Sequence, residues 1–149
     1  MNNIEYIDKS QIYNLLYRQN KKPIYLHKFF TKINLSEFES SLNEEDNIIF
    51  FNTCLGGDLS LLPALVEIMS KKNCTGVVNF AASLHLAILG LCKKIILFND
   101  SRLFHHIIKP YPNFSDVENN KLINLYVDCT NYLNRINKKH LIYRNIPCK

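Results

Sequence analysis

Apolar positions along the chain form two kinds of pattern. The runs at 48–51, 77–80, 95–98 and 103–108 are nearly continuous and bounded by polar residues. Runs without alternation suit strands covered on both faces. Pro23-Ile24-Tyr25-Leu26 predicts one more, shorter strand. Helical spacing occurs elsewhere: Ile12, Leu15 and Leu16 predict an N-terminal helix over 8–18, and Leu62, Leu65, Val66 and Met69 predict one over 61–71. A further apolar segment predicts a helix over 83–91. Asn34 followed by Glu37 reads as a capping box that opens a helix through about Leu42. After Pro110 and Pro112 a long helix is predicted over 115–139, with Leu122, Leu125, Tyr126, Cys129, Leu133 and Ile136 on one face. Asp116 and Glu118 at its start and Lys138 and Lys139 at its end complement its dipole. Tyr126 and Tyr132 exceed what a small α/β layer needs, and the helix is expected to pack against another subunit. Strand, helix, strand, helix, strand is the pattern of right-handed βαβ crossovers. The expected fold class is α/β, in a single domain 1–149 with its α/β core over 23–108.

Length and composition narrow the function classes. At 149 residues, 47% hydrophobic and 21% charged, the chain is long and apolar enough to bury a core. No apolar run approaches the roughly 20 residues that cross a bilayer. Met1-Asn2-Asn3-Ile4-Glu5 has neither the basic start nor the apolar stretch of a secretory leader, so a cytoplasmic location, or its organellar equivalent, is expected. The net charge of +5 resides in residues 135–149, where Arg135, Lys138, Lys139, Arg144 and Lys149 meet no acid. No nucleic-acid motif accompanies these charges, and a basic helix end accounts for them better than a nucleic-acid partner does. Cys54, Cys74, Cys92, Cys129 and Cys148 are odd in number and far apart, which predicts small buried thiols rather than disulfides or metal ligands.

Three stretches carry candidate chemistry. Asn52-Thr53-Cys54-Leu55-Gly56-Gly57-Asp58 follows a predicted strand, and two of the chain's four glycines are adjacent in it. Paired glycines allow a sharp turn with an N–H free to meet a ligand. Ala81-Ala82-Ser83-Leu84 places a serine between small residues and a helix start. That serine is either an ordinary N-cap or a nucleophile beside oxyanion-binding N–H groups. Ser101-Arg102-Leu103-Phe104-His105-His106 lies on the next predicted strand, where adjacent histidines alternate between faces.

In this order the three stretches resemble the proteolytic subunit of Clp protease, a serine peptidase of the ClpP/crotonase fold. The resemblance extends over about residues 10–145, with the 115–139 helix similar to that family's handle helix. It implies a spiral of βαβ units, no cofactor and no metal. By residue, it implies Ser83 as nucleophile, His106 as general base, and the N–H groups of Gly57 and Leu84 as the oxyanion hole. His105 matches a position that is apolar in the family. Asn145 falls where the family has its acid, which makes it the expected third member of the triad. An asparagine can orient a histidine but supplies no charge to stabilise the imidazolium. Asn79 replaces a glycine of the family, and the 83–106 stretch is slightly shorter. Pro110 and Pro112 occupy a segment that in the family pairs with substrate backbone, which removes two N–H donors. The N-terminal axial gate and the last C-terminal part of the family are expected to be reduced here. The implied activity is peptide hydrolysis through an acyl-enzyme, within a homo-oligomeric or hetero-oligomeric ring fed by an AAA+ ATPase, with a polypeptide substrate and neither nucleic acid nor membrane as partner. The alternative is a weak or inactive homologue that assembles with, or regulates, other Clp subunits. An acyl-CoA enzyme of the same fold is a more distant reading.

Overall fold

The computed structural model describes residues 2–19, 22–26, 30–106 and 108–144. Among them the chain runs β1 (Asn3–Tyr6), α1 (Ile12–Gln19), β2 (Ile24–Leu26), α2 (Lys32–Ser41), β3 (Asp46–Phe51), α3 (Leu62–Ser70), β4 (Asn73–Ala82), α4 (Leu84–Gly90), β5 (Lys94–His106), α5 (Asp116–Cys129) and β6 (Leu141–Arg144). Short 3-10 turns join several of these elements. The strands form one sheet in the order β1-β5-β4-β3-β2, and every pairing is parallel. β4 lines one edge of β5, while β1 and β6 follow one another along the other: β1 pairs with 94–97 and β6 with 103–106. The α/β class expected from the apolar runs is observed.

Those runs lack alternation because both sheet faces are buried. Ile49, Phe51, Val78, Ile95 and Leu97 face a core completed by Leu62, Leu65 and Met69 of α3, by α4, and by Leu122, Tyr126 and Cys129 of α5. Their neighbours Ile48, Val77, Ile96 and Phe98 face the opposite way, under Ile12 of α1. Each strand therefore contributes residues of one parity to each core.

Several expectations need correction. The 115–139 helix is shorter than its apolar stripe suggests: α5 stops at Cys129 and the chain continues through 3-10 turns at Asn131–Arg135 and Lys138–His140. Thr130, the C-cap, turns its hydroxyl back onto the Tyr126 carbonyl at 2.9 Å. The tighter turns keep Leu133 and Ile136 buried by a different route. Lys138 and Lys139 accordingly do not cap this helix, whose last turn holds no base, although Asp116 and Glu118 do open it. Tyr126 and Tyr132 are both 2% exposed within the chain's own core, so neither is free to meet another subunit. The Tyr132 hydroxyl donates to the Leu86 carbonyl at 2.7 Å. α2 begins at Lys32 rather than near Asn34, whose side chain instead reaches back to accept the Thr31 N–H at 2.9 Å.

The two predicted strands at 95–98 and 103–108 are one strand with a bulge. Val78 pairs with Leu97 and Phe80 with Arg102, so residues 98–101 stand opposite Asn79 alone. The fully buried Ser101 makes this possible. Its hydroxyl accepts the Phe98 N–H at 2.7 Å and donates to the Val78 carbonyl at 2.6 Å. Nδ1 of buried His140 lies 2.8 Å from the Ser101 carbonyl. Ser101→Ala orphans two buried backbone groups and is expected to cost about 1–3 kcal/mol, read as a lowered urea midpoint. An unchanged midpoint would mean that water or a local shift replaces the hydroxyl.

Cys54, Cys74, Cys92 and Cys129 are buried and free, as small apolar residues would be; Cys148 lies outside the described residues. Among the described residues no helix is long and apolar enough to cross a membrane.

Candidate functional site

Three neighbouring strands end together, where ligands bind in parallel α/β sheets. β3 leads into the Gly56-Gly57 turn, β4 into Ser83, and β5 ends at His106. Beyond β3, Cys54 bridges to Ala81: its N–H donates to the Phe80 carbonyl at 3.0 Å, and the Ala82 N–H donates to its carbonyl at 2.8 Å. This bridge draws the Gly-Gly turn alongside Ser83.

Ser83 has φ 54° and ψ −123°, a conformation that costs a non-glycine residue about 1–3 kcal/mol. Its side chain makes no capping hydrogen bond to α4. An ordinary N-cap has extended backbone and gives its oxygen to the first turn; Ser83 does neither. Its geometry is that of a serine held on a sharp strand-to-helix turn, the arrangement that presents a nucleophile in hydrolases.

Gly56 has φ 119°, and a Cβ on it would stand 3.0 Å from the Ser83 Cβ. Gly57 is pressed against Phe30, whose carbonyl would lie 2.4 Å from an added Cβ. The turn is stitched to Phe30 on both sides: the Phe30 N–H donates to the Gly56 carbonyl at 2.9 Å, and the Asp58 N–H donates to the Phe30 carbonyl at 2.9 Å. Among the described residues, neither the Gly57 N–H nor the Leu84 N–H has an acceptor. Both are thus available to an oxyanion, and Leu84 opens α4.

The general base expected from the sequence is less fully described. His106 is the last residue of β5, two beyond Phe104, which pairs with Ala82. Its side chain lies outside what the structure describes. The His105 ring stacks on Tyr126 of α5 at 6.1 Å and is occupied there. Asn145 lies outside the described residues, but Arg144, which precedes it, pairs with His106 in the β5–β6 ladder. Asp128, the last acid of the chain, is exposed on α5.

Two features were not foreseen. Fully buried His85, two residues after Ser83, accepts the Gly56 N–H at Nδ1, 3.0 Å away. Burial pushes its pKa down to about 4, so the ring is neutral. A histidine in an otherwise apolar seven-residue helix was the available signal. The second feature is the proline segment, which is fastened down. The Tyr111 hydroxyl donates to the Asp58 carboxylate at 2.9 Å, and the Asn119 side chain accepts the Tyr111 N–H at 2.8 Å and donates to its carbonyl at 3.0 Å. Burial opposes the Asp58 charge, yet hydrogen bonds from Ser60 and Tyr111 hold its carboxyl below the usual value. Cys54 does not offer a rival nucleophile: burial pushes its thiol up to about 12, and the S–H donates to the Leu26 carbonyl at 2.8 Å.

No family model, curated protein or solved structure matches the chain. The class of molecule therefore rests on fold and site alone: a parallel α/β sheet with a strained serine at its carboxyl edge.

Proposed function

We propose that the chain is a serine-type peptidase subunit of the Clp proteolytic kind. The observation that carries this reading is Ser83 itself, uncapped and in a left-handed conformation between the Gly-Gly turn and the end of the β5 strand. In the proposed reaction the Ser83 Oγ attacks a peptide carbonyl carbon while His106 takes its proton. The N–H groups of Gly57 and Leu84 stabilise the oxyanion. His106 then protonates the departing amine, and water hydrolyses the acyl-enzyme by the same steps. Asn145, which follows Arg144 in sequence, is the residue proposed to orient the base, and the pairing of Arg144 with His106 brings the end of β6 beside the end of β5. Val117 and Val127 remain exposed on α5 and offer apolar surface to a neighbouring subunit in a ring fed by an AAA+ ATPase.

The second reading, a non-cleaving homologue that assembles with active subunits, is favoured by one observation. The residue at the expected triad position is Asn145, an amide in place of a carboxylate. A fluorophosphonate probe separates the two. Labelling of the full chain at Ser83, located by peptide mass spectrometry, is expected for the peptidase, with faster labelling of Asn145→Asp. Absence of labelling in both proteins would leave the assembly role.

A further inference from the structure

We infer that His85 is a positioning residue for acyl transfer at Ser83, its ring holding the Gly56 peptide so that the oxyanion-binding turn keeps one geometry. The inference rests on the reading of Ser83 as nucleophile. It starts from the two peptide planes that flank the Gly56 Cα.

The plane on the carbonyl side carries the Gly57 N–H, which points opposite to the Gly56 C=O across a trans bond. That carbonyl is held by the Phe30 N–H at 2.9 Å. The plane on the amino side carries the Gly56 N–H, held by His85 Nδ1 at 3.0 Å. Glycine has no Cβ to restrict either torsion, so these two bonds define the turn. Phe30 supplies one and His85 the other.

The surroundings of His85 assign its tautomer. The ring is fully buried, with the rings of Phe30 and Phe51 edge-on at 6.0 and 6.4 Å. Nδ1 accepts, so Nε2 carries the proton, and among the described residues Nε2 has no hydrogen-bond partner. Leucine or methionine would fill such a pocket without burying an unpartnered N–H. What imidazole supplies and they do not is an acceptor for Gly56. α4 thus joins the nucleophile turn to the oxyanion turn through a side chain only two residues from Ser83.

The test compares wild type, His85→Leu and His85→Asn for the rate of fluorophosphonate labelling at Ser83, with thermal melts recorded alongside. Asparagine places an amide oxygen near the position of Nδ1, whereas leucine keeps bulk and removes the acceptor. His85→Leu is expected to label about 10²-fold more slowly, as when an oxyanion donor is lost, and His85→Asn to stay within about tenfold of wild type. Should His85→Leu not fold, His85→Met takes its place. A folded leucine or methionine variant labelled as fast as wild type overturns the inference and leaves the nucleophile standing. Folded asparagine and leucine variants that are equally slow also overturn it, because the acceptor is then not what matters. An unlabelled wild type overturns the reading of Ser83 and this inference together.

Discussion

Ser83→Ala is expected to lower peptide hydrolysis and probe labelling by on the order of 10⁴- to 10⁶-fold while leaving stability nearly unchanged. On the proposed mechanism the loss follows from removing the oxygen that would form the acyl bond. The unchanged stability follows from the local geometry, because the Ser83 side chain makes no capping hydrogen bond and alanine inherits the same backbone conformation. Ser83→Gly separates the two roles. Glycine adopts φ 54° without steric cost, which relieves roughly 1–3 kcal/mol, but it adds roughly 0.5–1 kcal/mol of chain entropy to the unfolded state. The glycine variant is therefore expected to be inactive and to melt a few degrees above the alanine variant. A glycine variant that melts below the alanine one would show that the turn stores no strain. Labelling of the alanine variant at the wild-type rate would remove Ser83 from the chemistry.

How much of this site could be read from residues alone follows from what each feature depends on. The order Gly56-Gly57, Ser83, His106 is sequence information, and the sheet brings the three strand ends side by side. Whether Ser83 caps a helix or serves as a nucleophile depends on one backbone torsion, and residue type does not report it. His85 escaped notice because, flanked by Leu84 and Leu86, it reads as core filling; its hydrogen bond to Gly56 spans 29 residues. Tyr126 and Tyr132 misled in the opposite direction. Surplus aromatics on a stripe look available to a partner until α4 and α5 pack together and enclose them.

The fold divides similarly. The continuous runs announced strands buried on both faces, and those strands are present. β1 and β6 were not predicted because Asn-Ile-Glu-Tyr and Leu-Ile-Tyr-Arg are too short and too mixed to stand out. They exist because β5 is long enough to pair with both along one edge. The polar stretch Asn99-Asp100-Ser101 suggested a break between strands. Instead the Ser101 hydroxyl satisfies the backbone inside the bulge, and the strand carries on to His106.

Lowering the pH from 7 to 4 is expected to remove about 3 kcal/mol of stability through His85 alone. In the native protein burial holds the pKa of this ring at about 4, against 6.5 for an unperturbed histidine. Between those values the unfolded chain takes up a proton that the native ring refuses, so acid shifts the balance toward unfolding. Above about 6.5 neither state binds the proton and this contribution is flat. It grows to about 2 kcal/mol by pH 5 and levels off below about pH 4. Asp58 acts at still lower pH. Its depressed carboxyl lends stability above its unfolded value, lost only as pH falls through the lower native one. Urea midpoints at pH 7, 5 and 4 for wild type and His85→Asn isolate the histidine, since the remaining groups are common to both. Wild type is expected to lose about 2–3 kcal/mol more than the asparagine variant across this range. Parallel curves for the two proteins would mean that the ring beside the Gly56 turn is not held neutral, and the acceptor role of Nδ1 would fall with it.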